Sequence, residues 1–452
     1  MKLSNLILRF PIDENYQLWI NSLNGVIDIV PTKLAINKLS NDSLLKLSQR
    51  GYFASSSKKI SILKKLKKLT DQHNQNTPYW FYILTTLACN FNCPICYERE
   101  KIGEGQLTAD NLRQIIATIK YLQKIKHIKN QRMFLVVFGG EPLCLANPLI
   151  LEKIFQEASK NHWKCIIISN GSLVSRHIKL FKKYRKAIAD FRITVDGPKE
   201  AHNLRRPYRN GRGSFDDVIS AIGLLLKNKF SVKCQTILGA GNIHHLKSII
   251  KLFQKKKWLN NKYFSWRVEG SHDYANLDPE KDEVSEAKMV KRLIDLTQTY
   301  PILKDKMKFE SFKYLSHIVR SFGWLGEYKT YWGPRFNFCD PQRGFHYVFS
   351  TDGAVYHCPR TINNSFYNLG RAGRPLSLPF WRKKNILTKP KCRICTLNTL
   401  CGGGCLVQGR YQKNFNCQKY VLSLIKEFVA LMSKPILAQA RSGEVTSINK
   451  LW

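Results

Sequence analysis

The sequence predicts an α/β chain built on a parallel sheet, open or closed into a barrel. A small α+β unit precedes that sheet and a cysteine-rich unit follows it. Three observations carry the prediction. From residue 79 onward, short apolar runs alternate with amphipathic stretches, which is the pattern of repeated βα units. The glycines and cysteines that stand out there each fall just after a strand, so a parallel barrel would gather them on one rim. Finally, seven of the thirteen cysteines lie between Cys339 and Cys417.

Composition sets the frame for these elements. The chain has 452 residues, 44% hydrophobic and 23% charged, as an ordinary globular protein of two or three domains would. No apolar run approaches the ~18 residues of a spanning helix, and Met1–Phe10 has no signal-type apolar region. A cytoplasmic protein is expected, and thirteen cysteines there argue for metal ligation over disulfides. The formal charge is +41, from 73 basic against 32 acidic residues. Such a field attracts nucleic acid, anionic lipid or an acidic peptide. It equally describes a generic lysine-rich surface, since no dense basic block with interleaved aromatics marks a groove.

Residues 1–78 form the first unit. Tyr16–Asn21 and Val26–Val30 are strand-like and joined through Asn24-Gly25, a hairpin signal. Helical patterns follow at Asn41–Arg50 and Lys58–Asp71, the second with an apolar stripe of Ile60, Leu63, Leu66 and Leu69 between lysines. The central unit, residues 79–270, has candidate strands Phe81–Thr86, Met133–Phe138, Lys164–Ser169, Asp190–Val195, Val232–Leu238 and Tyr263–Val268. Rim signals follow each of the first five: the Cys89 loop, Gly139-Gly140-Glu141-Pro142, Ser169-Asn170-Gly171, Asp196-Gly197-Pro198 and Gly239-Ala240-Gly241-Asn242. Residues 271–335 are polar and helical, a bridge. Residues 336–420 hold the late cysteines, and 421–452 form a closing helix and tail.

The first loop, Thr85–Glu98, sets Cys89, Cys93 and Cys96 at C-x3-C-x2-C spacing. Three thiolates on one short loop can hold three irons of a cubane [4Fe–4S] cluster and leave the fourth iron open. A zinc site would ordinarily need a fourth Cys or His, a disulfide would leave an odd thiol, and three unrelated core cysteines would not share a loop. For the late cysteines, a two-zinc module is the competing reading.

The run Cys89-Asn-Phe-Asn-Cys-Pro-Ile-Cys-Tyr-Glu98 resembles the cluster loop of radical S-adenosylmethionine (SAM) enzymes, with Ile95 where an aromatic is commoner. The later motifs follow in that family's order: Gly-Gly-Glu-Pro, Ser-Asn-Gly, and Val195-Asp-Gly-Pro-Lys-Glu-Ala-His-Asn-Leu-Arg-Arg-Pro207. The resemblance implies a partial (β/α)6 barrel, SAM chelated by the open iron, and a 5′-deoxyadenosyl radical that abstracts hydrogen. It also implies that Gly139, Gly140 and Glu141 hold the SAM amino group and that Ser169, Asn170 and Asp196 lie beside its ribose or adenine. Arg206 matches the motif arginine, while Arg209 is expected only at the surface.

The order Gly353-x4-Cys358, then Cys392-x2-Cys395-x5-Cys401-x3-Cys405, then Cys417 is similar to the SPASM domain of radical SAM enzymes that act on peptides and proteins. That domain carries auxiliary [4Fe–4S] clusters. By this resemblance Cys392, Cys395, Cys401 and Cys417 hold an outer cluster, and Cys339, Cys358 and Cys405 an inner one. An upstream eighth cysteine common in relatives is missing, so Asp340, water or substrate would complete the inner site. Cys165, Cys234 and Cys144 are expected to be packing residues. The implied function is modification of a ribosomally made precursor peptide or protein, with SAM and three [4Fe–4S] clusters as cofactors; the basic excess of residues 1–78, twelve Lys and Arg against five Asp and Glu, separately predicts an acidic or acid-flanked substrate. An external donor such as flavodoxin or ferredoxin would supply electrons. Sulfatase maturation is disfavoured, because Pro359 stands where those enzymes commonly carry an Asp base. Two alternatives remain: a radical SAM enzyme acting on RNA, and a zinc-containing nucleic-acid-binding protein. No membrane partner is expected.

Overall fold

A computed structural model describes residues 3–34, 36–53, 59–73, 77–96, 98, 103, 105–270, 284–309, 312, 314–324, 334–377, 384–407 and 417–442. Parts of the expected bridge (271–283 and 325–333) and the end of the tail lie outside these residues.

The first sheet is antiparallel, ordered β1 (Ile7–Pro11), β2 (Tyr16–Asn21), β3 (Ile27–Pro31). The β2–β3 hairpin turns through Asn24-Gly25, with Gly25 in the left-handed region at φ +79°, as the dipeptide predicts. The sequence reading did not include β1, a five-residue edge strand that ends in proline and so carries a weak strand signal. Ser40 caps α1 (Asn41–Gln49), its Oγ accepting from the Ser43 N–H at 3.2 Å. α2 (Lys59–His73) turns Leu63 and Leu66 onto Leu6 and Leu23, and also onto Phe336 and Ile386 of the cysteine-rich unit. Its Lys59 Nζ donates to the Cys395 carbonyl at 2.9 Å. Phe10, Leu18, Ile20 and Ile27 join the main core. The N-terminal unit is therefore seated in the molecule and is no detached arm.

The second sheet holds nine strands. The six expected ones are β4 (Tyr79–Leu84), β5 (Met133–Phe138), β6 (Lys164–Ser169), β7 (Ile188–Thr194), β8 (Val232–Leu238) and β9 (Phe264–Gly270), parallel and in sequence order. Between them run α3 (Ala109–Ile125), α4 (Pro148–Lys160), α5 (Val174–Lys183), α6 (Lys199–Arg205), α7 (Phe215–Lys227) and α8 (Leu246–Lys255). Three strands extend the expectation. β10 (Met307–Phe309), from the bridge, adds parallel to β9. β11 (His346–Phe349) adds parallel to the other edge, on β4, and β12 (Val355–Tyr356) pairs antiparallel with β11. The cysteine-rich unit is thus joined to the barrel by main-chain hydrogen bonds.

The sheet curls. Five strand spacings separate β4 from β9 in the sheet order, about 24 Å if it were flat. Yet Tyr82 on β4 lies in the electrostatic field of both Arg192 on β7 and Arg267 on β9. The Arg192 guanidinium carbon lies 5.4 Å from the Trp80 ring centroid. The architecture is a partial parallel barrel. Its convex face is apolar: Trp266 meets Phe253 of α8 with ring centroids 5.5 Å apart. Cys165 and Cys234 are fully buried there, as expected of core residues.

Candidate active site and cysteine clusters

The rim loops are tied to one another chiefly through the backbone of the Cys89–Cys96 loop. The N–H of Gly140 donates to Thr86 O at 2.9 Å, and that of Glu141 to Ala88 O at 2.8 Å. A Cβ on Gly140 would come within 2.4 Å of Ala88 O, and one on Gly139 within 2.3 Å of Thr86 O. The double glycine is required because two main chains approach closely. Glu141 is fully buried. Its carboxylate accepts from Ser169 Oγ at 2.8 Å, Asn170 N at 2.6 Å and Leu143 N at 3.1 Å. Burial pushes its pKa up to about 7 against the pull of those donors. Glu141 therefore fastens the second loop to the third, and its oxygens are already engaged.

Asn90, inside the cysteine loop, completes the fastening. Its Nδ2 donates to Ser172 Oγ at 2.9 Å, and its Oδ1 accepts from Asn170 Nδ2 at 2.8 Å. The segment after α6 pairs with the same loop: Asn92 N donates to Pro207 O at 2.8 Å, and Arg209 N to Asn90 O at 3.0 Å. Phe91 and Tyr208 stack edge to face, 4.7 Å apart. Arg209, expected to be a bystander, donates through Nε to Cys89 O at 2.6 Å.

Asp196 is fully buried and is a hub. It accepts from Arg206 Nε at 2.7 Å and Ile237 N at 2.8 Å. Its own carbonyl accepts from Asn242 Nδ2 at 2.8 Å, and its N–H donates to His202 Nδ1 at 3.2 Å. Burial alone would raise its pKa, but Arg206, Arg205 and the Ile237 N–H outweigh it and hold the carboxyl below the usual range. Arg206 also hydrogen-bonds the Cys93 sulfur. Asp196 thus reaches the cysteine loop through Arg206, and its oxygens face protein partners. His202 is buried, its pKa pushed down to about 4 by desolvation, and Nε2 lies 3.1 Å from Ser214 Oγ.

The groups that face the cysteine sulfurs fit thiolate-held clusters. Cys93 is buried, and Cys89 and Cys96 are half-buried. Backbone N–H groups aim at these sulfurs: Phe91 N at Cys89 (3.4 Å) and Glu98 N at Cys96. Burial pushes the free thiols up, to about 12 for Cys89 and about 11 for Cys96, so metal loading must release protons. In the C-terminal unit Cys392, Cys395, Cys401 and Cys417 sense one another electrostatically. Leu397 N lies 3.4 Å from Cys395 Sγ, and the N–H groups of Gly403 and Gly404 bond Cys401. Gly402, Gly403 and Gly404 all lie in the left-handed region, at φ +70°, +86° and +69°. Successive amides so turned form an anion-binding nest of the kind found at iron–sulfur sites.

The inner set is held differently. Cys358 and Cys405 pack against one apolar cluster with Tyr82, Leu84 and Phe138. Gln342 joins their neighbourhood to Cys339, accepting from Phe338 N at 3.0 Å and donating to Gly404 O at 2.9 Å. Asp340 pairs with Arg343 at 2.9 Å. Among the described residues no three His, Cys, Asp or Glu side chains converge on one metal ion. Thiolates of a cubane each take a different iron and stand farther apart. Cys144 lies close to Cys89 and receives the Asn90 N–H, so it borders the first cluster loop.

Comparison with known proteins agrees with this geometry. Residues 83–253 match the radical SAM superfamily model. A cysteine-type anaerobic sulfatase-maturating enzyme of Clostridium perfringens is 22% identical over 361 residues, covering 74% of this chain and 91% of its own. The serine-type enzyme of Bacteroides thetaiotaomicron is 25% identical over 179 residues, 37% of this chain and 41% of its own. Among solved structures, anSMEcpe with bound AdoMet superposes with a TM-score of 0.60 at 19% identity, covering 81% of this chain and 99% of that one. Streptococcus suis SuiB superposes at 0.55 with 12% identity, covering 91% and 97%. Structures exist of anSMEcpe with AdoMet and a peptide and of SuiB with its precursor peptide SuiA.

Proposed function

The chain carries a radical SAM domain, and from that premise we propose that it cleaves SAM reductively and modifies a ribosomally made peptide or protein. One observation supports this most: the three-cysteine loop is bonded to every rim loop that the SAM motifs supply, with amides aimed at its sulfurs. When bound, a [4Fe–4S] cluster on three thiolates would supply an open iron for SAM and the electron for its reductive cleavage. Cys89, Cys93 and Cys96 hold that cluster. Gly139, Gly140, Glu141, Ser169 and Asn170 shape the SAM cradle, and Asp196 positions Arg206 against Cys93. Cys392, Cys395, Cys401 and Cys417 hold the outer auxiliary cluster, and Cys339, Cys358 and Cys405 the inner one.

The peptide reading is supported by the relatives, which are maturases or carry a precursor peptide. Residues 1–78 hold twelve Lys and Arg against five Asp and Glu. Lys64, Lys67 and Lys68 of α2 line a surface groove with Asp71, Gln72 and Leu387. An acidic leader is drawn to such a face by field, and an extended one can add to a free sheet edge. Pro359 follows Cys358 at the start of a short helical turn and offers no acidic side chain, which argues against sulfatase maturation. A flavodoxin or ferredoxin supplies the electrons. No described helix is long and apolar enough to cross a membrane.

Anaerobic reconstitution followed by metal analysis tests the proposal. Roughly twelve irons per chain, little zinc and dithionite-dependent 5′-deoxyadenosine are expected. Stoichiometric zinc without iron uptake would overturn it. Tightly held RNA released by salt would redirect the substrate from peptide to RNA.

A further inference from the structure

Parallel strands normally bury both faces, and the concave face of β7, β8 and β9 does not conform. Along β8, Val232, Cys234, Thr236 and Leu238 are buried, while Lys233 and Gln235 are half exposed. Along β9, Phe264, Trp266 and Val268 are buried, while Ser265, Arg267 and Glu269 are half exposed. On β7 the same face carries Asp190 and Arg192, both buried. The interior of the partial barrel is therefore lined by ionised groups.

Their charges do not cancel. Arg192 Nε lies 3.3 Å from Asp190 Oδ1, and Lys233 Nζ 2.9 Å from Asp190 Oδ2. Two cations thus share one carboxylate that is 6% exposed. Arg267 pairs with Glu269, and Asp340, whose field reaches Tyr82, pairs with Arg343. The imidazole of His346 and the amide of Gln235 lie on the same face. Among the ion pairs named here, Arg192 and Lys233 share the single Asp190 carboxylate, so an anion with hydrogen-bond geometry is favoured beside them. Tyr82 projects onto the same face between Arg192, Arg267 and Cys358.

We propose that the barrel interior is a carboxylate site, in which Arg192 and Lys233 bind an Asp or Glu side chain of the substrate peptide between the SAM rim and Cys358. This rests on the peptide reading and adds the chemical class of the residue that enters. A neutral or basic residue would leave the spare cation uncompensated.

The test uses the full chain, cluster-reconstituted and SAM-bound under anaerobic conditions, with end-blocked peptides that differ only in Glu or Gln at one position. Binding is read by competition anisotropy. Glu peptides are expected to bind about tenfold tighter than Gln peptides. Lys233→Met should erase most of that preference, whereas Asp190→Asn, which frees a second cation, should increase it. The two variants carry opposite signs, and general destabilisation cannot produce a gain. Equal binding of Glu and Gln peptides, or a weaker preference in Asp190→Asn, overturns the carboxylate site while leaving the peptide reading intact. Failure of both peptide classes to bind overturns both.

Discussion

Gly140→Ala isolates the geometry of the SAM cradle from its chemistry. The added methyl would sit 2.4 Å from Ala88 O and 2.7 Å from Leu87 O, both main-chain atoms one and two residues before Cys89. Neither neighbour can swing away as a side chain would. To reach 3.0 Å the cysteine loop or the Gly-Gly-Glu loop must retreat by about 0.6 Å, stretching the 2.8 Å bond between Glu141 N and Ala88 O. Overpacking of this kind costs about 1–3 kcal/mol, and a displacement near 1 Å at a reacting centre can cost on the order of a hundredfold in rate. Dithionite-driven 5′-deoxyadenosine formation should therefore fall by about two orders of magnitude, or iron should drop from about twelve to about eight per chain. The outer-cluster spectrum should be retained. Gly223→Ala in α7 is the control, because its Cβ meets nothing within 4 Å and alanine favours the helix. Full iron and an unchanged rate in Gly140→Ala would refute the reasoning.

Three further outcomes are expected. Replacing Cys89, Cys93 and Cys96 together by Ala should abolish SAM cleavage and leave about eight irons; undiminished 5′-deoxyadenosine would sink the assignment. Arg206→Gln removes the nearer of two cations from the buried Asp196 carboxylate, leaving Arg205 Nε at 3.7 Å and Ile237 N at 2.8 Å, and should cost at most about 3–5 kcal/mol in denaturant melts. Because the folded Asp196 pKa is depressed, its contribution is present above the usual carboxylate range and lost as pH falls through the folded value. The variant should show a smaller acid-side step, and an unchanged pH–stability profile would count against it. Changing Lys64, Lys67 and Lys68 together to Glu should weaken an acidic leader peptide and remove most of the salt dependence of its binding, although each exposed pair contributes only about 0–1 kcal/mol. Affinity indifferent to salt in the parent protein would reduce α2 to a structural support.

Much of the rim was legible because its residues are rare and ordered. Each cysteine and glycine signal follows a strand, and strand–helix alternation is a long-period pattern that survives local noise. The extra strands were not legible for a physical reason. β10 is three residues long and β11 four, and each is stabilised by pairing with a finished sheet edge, which no local window contains. How residues 1–78 seat in the molecule was not legible for the same reason: Phe10, Leu18, Ile20 and Ile27 are core residues of the whole molecule, so deletion would expose apolar surface and not merely remove a binding arm.

The motif residues and their neighbours divide by what they touch, and that division explains which roles a sequence can carry. Gly140, Glu141 and Asp196 are conspicuous in sequence, yet their contacts are with main chain, Ser169 and Arg206. They fix the relative placement of the rim loops. Asn90 and Arg209 hold the cysteine loop equally directly, but a single Asn or Arg in a loop has no spacing partner to reveal it. The interior charges lie between these cases. Lys233-x-Gln235 and Arg267-x-Glu269 alternate with buried residues along strands that a parallel sheet should bury on both sides. That conflict is visible in the sequence itself. Only the curl of the sheet, which brings Arg192 to Trp80 and Tyr82 near Arg267, gathers these charges on the inner face of the partial barrel.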